Sequence, residues 1–152
     1  MISRTRAVLT AGALAVALGL GITAQASAGA PRSVSGKPSD DISRIADFYG
    51  AYVDSKADED GRGLEKALRG HYLTPALQKR LTAWESREHA DGVLRAQNVP
   101  LAWKVTDNGT VGTSREAVIT LTWGSGTTEL VVGMNRTSHK IVRIGDKGAA
   151  GR

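Results

Sequence analysis

The chain has 152 residues and no cysteine, and its 20 Lys and Arg exceed its 15 Asp and Glu to give a net charge of +5. Without cysteine there is no disulfide, no thiolate metal site, no iron–sulfur cluster and no cysteine nucleophile. A hydrophobic share of 41% suits one globular domain, and the length argues against a two-domain enzyme built on a large cofactor fold.

Arg4 and Arg6 precede an uncharged stretch over residues 7–22, and Ala24-Gln25-Ala26-Ser27-Ala28 then offers Ala-x-Ala cleavage choices. This is the pattern of a secretory signal peptide, with cleavage expected after Ala28. The apolar stretch is short and weakly hydrophobic for a bilayer span, so the expectation is a secreted chain with no membrane association after cleavage. Loss of residues 1–28 takes Arg4 and Arg6 away and lowers the net charge to +3. Lys79-Arg80 is then the only adjacent basic pair, so no nucleic-acid partner is expected.

Residues 29–39 (GAPRSVSGKPS) carry two Pro, two Gly and three Ser. They read as a flexible tail, either a spacer or a strand that pairs with a partner's sheet edge. A single domain is expected over residues 40–146, with residues 147–152 disordered. Ser39 or Asp40 can cap a first helix whose apolar face is Ile42, Ile45, Tyr49, Tyr52 and Val53. It should stop near Lys56, because Asp58-Glu59-Asp60-Gly61 offers nothing to bury and lacks the alternating ligands of a calcium loop. Leu64, Ala67 and Leu68 predict a short second helix that Gly70 terminates. Thr74 and Pro75 suit the N-cap and first position of a third helix carrying Leu77, Leu81 and Trp84 and fading over residues 89–92.

After Pro100 the period changes from helical to alternating. Leu101, Trp103 and Val105 are followed by the turn signal Asp107-Asn108-Gly109. Ala117, Ile119, Leu121 and Trp123 then alternate, and Gly124-Ser125-Gly126 reverses the chain. Leu130, Val132 and Met134 form the next run, and Ile141, Val142 and Ile144 the last. Four strands joined by short reversals predict an antiparallel meander covered by helices, an α+β fold.

The strings IADFYGAYVDS, HYLTPALQKRL and ADGVLRAQNVPLAW, with KIVRI in the last strand, resemble exported bacterial YbjP-like domains, known as domain of unknown function 3828. The resemblance spans residues 40–146 and implies an order of helices and sheet similar to the cystatin-like cone of nuclear-transport-factor-like proteins. Phe48, Tyr49, Tyr52, Tyr72, Leu73, Leu77, Asp91, Gln97 and Trp103 carry it. Gly92-Val93 departs from the aromatic expected after the Asp, so a pocket there is expected to be wider or absent. The resemblance implies no activity.

In a cone of this kind the sheet and first helix enclose a hollow that can be apolar and ligand-sized. Tyr52, Tyr72, Asp91, Gln97 and Trp103 are the polar candidates for its mouth. An isomerase or hydratase reading makes Asp91 a general base beside a tyrosine hydroxyl. The structural reading has Asp91 capping its own turn, Gln97 bonding loop backbone and the aromatics filling the core. His71, His89 and His139 lack metal-ligand spacing, so no metal or cofactor is expected. Gly124-Ser125-Gly126 lies between strands, unlike a nucleophile elbow. The sequons at Asn108 and Asn135 carry no weight without a glycosylating host. Two classes remain: a secreted, non-catalytic binding module for an envelope or secreted protein or a small apolar ligand, and an enzyme using Asp91.

Overall fold

The computed structural model describes Ser33 and residues 35–147. The expected signal peptide, residues 29–32, Val34 and residues 148–152 lie outside the described residues. The described part of the tail is exposed and ends in a turn closed by the Asp40 N–H on the Lys37 carbonyl (2.9 Å).

Helix α1 spans Asp41–Ala57. Asp40 caps it, its carboxylate accepting from the Ser43 N–H at 2.7 Å, which satisfies one of the orphan donors of the first turn. Ile45, Phe48, Tyr49, Tyr52 and Val53 are buried along one face. The helix stops where the acidic run removes any face to bury, and Gly61 permits the chain to fold back. A Cβ on Gly61 would stand 1.8 Å from the Ser55 carbonyl oxygen. Helix α2, Arg62–Tyr72, buries no residue fully and runs straight through Gly70, against expectation. It ends instead at Leu73, because Thr74 precedes a proline, and a residue before proline disfavours helical backbone. Thr74 is extended and accepts from the Leu77 N–H (3.3 Å), opening α3 over Pro75–Glu88 with proline in the first turn.

Strands β1 (Ala102–Val111), β2 (Ser114–Trp123), β3 (Gly126–Asn135) and β4 (Lys140–Asp146) form one sheet in the order β1-β2-β3-β4, each neighbour antiparallel. The fold is therefore α+β, three helices followed by an open meander. Ala117, Ile119, Leu121, Leu130, Val132, Met134, Ile141 and Ile144 face α1 and close the core with its aromatics.

Two local expectations change. Asp107-Asn108-Gly109 is no turn. It is a bulge inside β1 where the register slips between Asp107 and Thr110, with Gly109 at φ +85°. The Asp107 carboxylate accepts the Gly109 N–H (2.9 Å), so the Asx geometry that often makes a turn here makes a kink. The reversal follows at Gly112, φ +56°. In β4, Val142 is a second bulge, since Gly133 pairs Arg143 and Met134 pairs Ile141. That extra residue lets both Ile141 and Ile144 turn inward. Trp123 sits half-buried at the end of β2, its indole N–H on Thr128 Oγ1 at 2.9 Å.

Candidate functional site

The expected apolar hollow between sheet and α1 is filled. Phe48, Tyr49 and Tyr52 occupy it, with Phe48 ringed by Tyr49, Tyr52 and Tyr72 at 5.4 Å between centroids. A polar concavity lies elsewhere among the described residues. It is an open hollow of about 800 Å³ between the end of α1, α2, α3 and the loop at residues 89–97.

Asp91 forms its floor. Its Oδ1 accepts the N–H groups of Val93 and Leu94, both at 2.9 Å. Its Oδ2 accepts the Tyr52 hydroxyl at 2.7 Å, with Lys56 Nζ at 3.4 Å and Arg69 at 3.5 Å. Tyr52 in turn accepts from Arg69 through Nε (3.0 Å) and the terminal amino group (2.8 Å). Arg69 also grips Glu85, and Glu85 accepts the Gly92 N–H at 2.8 Å. Lys56 completes the ring on Glu65 at 3.3 Å.

Burial, and then the Asp91 charge, push the Tyr52 phenol far above its ordinary value, outweighing the opposing effect of Arg69. Tyr49 moves the same way for the same two reasons, and its hydroxyl donates to the Val93 carbonyl at 3.4 Å. Burial opposes the charge on Arg69, but the Glu85 hydrogen bond and the electron-rich Tyr52 and Asp91 beside it more than offset that. The phenol is therefore neutral, and each carboxylate oxygen accepts from two donors. A general base needs a free lone pair within reach of substrate. In this structure both Asp91 oxygens are bonded within the protein, Oδ1 to its own turn and Oδ2 to Tyr52 and Arg69.

Gly92 is the glycine that this packing requires, since a Cβ there would meet Glu85 Oε1 at 2.9 Å and Leu81 Cβ at 3.1 Å. The departure at Gly92-Val93 thus corresponds to tight packing on α3, with Val93 buried, and no pocket opens there.

The five residues named from the sequence separate. Asp91 and Gln97 line the concavity, and Tyr52 reaches it only through its hydroxyl. Tyr72 lies against Phe48 with the Arg44 guanidinium 5.4 Å from its ring centroid. Trp103 stands on β1, against Gly50, whose missing Cβ would be 3.0 Å from its ring. Neither lines the hollow. Sequence reading passed over Arg69, Glu85 and Glu65, and took Lys56 only as a helix end. The signal available was the Glu65/Arg69 pair at i, i+4, but nothing local tells that α2 and α3 bring Arg69 to Glu85. Among the described residues no group of three or more His, Asp or Glu is placed to hold a metal ion, and no helix is long and apolar enough to cross a membrane.

No protein-family model matches the chain, and no curated protein matches it. Among solved structures, a protein of unknown function from Bacteroides thetaiotaomicron is similar, with a TM-score of 0.58 and 21% identity over 68% of this chain and 87% of that one. That likeness is one of fold.

Proposed function

We propose that the chain is an exported, non-catalytic binding module whose polar concavity receives a small anion or an acidic side chain of an envelope or secreted partner. One observation carries this reading: the acid and tyrosine that catalysis would need are consumed by the Asp91–Tyr52–Arg69–Glu85 network. The rim, in contrast, carries Arg62 and Lys66, exposed and in no ion pair with another described residue. Lys56 pairs with both Glu65 and Asp91, and Gln97 adds an amide to the lining. Cations left uncompensated on the rim favour a carboxylate or phosphate. The filled core supports a polar ligand over the apolar one. The Ala-x-Ala site supports export.

The test is titration of the labelled protein with phosphate, citrate and an acidic hexapeptide, followed by amide shifts. At least one should give saturable shifts at Lys66, Arg69 and Gln97 that Arg62→Ala/Lys66→Ala abolishes. The absence of saturable shifts with all three probes would sink the reading. So would turnover of any substrate that is lost in Asp91→Asn while the fold persists. Export is checked separately, by an intact mass lacking residues 1–28 in culture supernatant.

A further inference from the structure

The two edges of the sheet are treated differently. On β4 the outward carbonyls are closed: Thr74 N–H donates to Ile141 (3.0 Å), Arg80 to Val142 (2.6 Å) and Arg95 to Ile144 (3.0 Å). Leu73 adds a parallel bridge to Ile141. The outward edge of β1 receives no such bond from any other element among the described residues. Leu101, Trp103 and Val111 on or beside it are 76%, 36% and 59% exposed, and only one other large hydrophobic of the described chain is as open. An unpaired strand edge with exposed apolar side chains is a template for strand addition.

The edge also has limits and a charge. Pro100 bounds the regular stretch on one side and the bulge after Asp107 on the other, leaving room for a partner strand of about six residues. On the helix side, Trp103 packs on Gly50 of α1. Asp47 and Asp54, at i−3 and i+4 from Gly50, share that flank and are exposed. Neither is in an ion pair with another described residue. On the opposite side of the strand Lys104 is a lone charge. A second copy paired edge to edge would bring two sets of these aspartates together at one seam, which like-charge repulsion opposes.

From the open edge, its apolar side chains and the flanking aspartates, we infer that β1 docks an extended segment of a partner protein, adding it as a fifth strand, with basic side chains on the helix side over Trp103. The inference rests on the binding-module reading but uses a surface separate from the concavity, so anion titrations and strand titrations fail independently.

The probe is a capped seven-residue peptide alternating lysine and valine, with a glutamate-for-lysine version as control. Titrated into the labelled protein, the lysine peptide should shift amides 101–106 and the Trp103 indole, and slow their hydrogen exchange. Asp47→Asn/Asp54→Asn, both surface changes, should weaken it about fivefold at low salt, and Trp103→Ala should weaken it with the far-ultraviolet spectrum unchanged. Equal binding of the glutamate peptide overturns the inference, as do shifts confined to Arg69 and Gln97 or no binding of either peptide. Concentration-dependent dimerisation through β1 would assign the edge to a second copy and overturn it too.

Discussion

The Tyr52 hydroxyl is a junction: it donates once, to Asp91, and accepts twice from Arg69. Tyr52→Phe leaves both charged partners short of a buried hydrogen bond, and a loss of about 1–3 kcal/mol is expected in denaturant unfolding. Arg69→Met strands Glu85 and Asp91 without their common cation, with a comparable or larger loss of about 2–4 kcal/mol. The phenols also set a pH dependence. Tyr49 and Tyr52 hold their protons in the folded state well above the ordinary tyrosine value, whereas unfolded tyrosine ionises near about pH 10. Their contribution is thus complete below that pH and drains away as pH rises beyond it, because only the unfolded chain releases the protons. Stability should fall above about pH 10 by about 1.4 kcal/mol per pH unit for each phenol, and Tyr52→Phe should flatten that fall. An equal slope in wild type and variant would refute the assignment. Asp40 behaves oppositely. Hydrogen bonding from the Ser43 N–H lowers its carboxyl, so its small, exposed contribution is present above the carboxylate range and lost in acid.

At the scale of elements, one joint depends on a side chain being absent and another on a hydroxyl being present. A methyl group at Gly61 would collide with the Ser55 carbonyl, so Gly61→Ala must push α2 away from α1 and should cost about 3 kcal/mol. Thr74→Ala removes only a cap and should cost about 1 kcal/mol. Thermal melts of the two variants test the order: a Gly61 variant as stable as the Thr74 variant would contradict the close approach. Helix and strand identities were legible because periodicity and capping act locally: Asp40, Thr74-Pro75 and the run Ala117 to Trp123 needed no tertiary knowledge. The misreadings share a cause. Gly70 and Asp107-Asn108-Gly109 are permissive signals, and what decides them lies elsewhere, in the pre-proline restraint on Thr74 and in strand pairing that continues past Gly109. The site was half legible for the same reason. Asp91 and Tyr52 stood out as chemical types, whereas Arg69, Glu85 and Lys56 acquire meaning only when three helices and a loop converge.

For the whole molecule, the helices and sheet share one core, in which α1 supplies the aromatics and all four strands contact or adjoin them. No part of residues 41–146 has a hydrophobic centre of its own, so far-ultraviolet dichroism and tryptophan fluorescence should report coincident unfolding transitions. Separate midpoints would mean that α2 and α3 detach first. The unequal edges give the sheet a sealed side and an available side. The seal itself has a further implication. β4 contains one residue more than its inward and outward alternation requires, because Val142 pairs with nothing on β3. A chain missing that codon would read isoleucine in, arginine out, isoleucine in, without interruption. Deletion of Val142 should therefore keep both isoleucines in the interior and cost only the Arg80 clasp, which a thermal melt of the shortened chain would check, whereas a one-residue deletion elsewhere in the meander should turn a strand inside out.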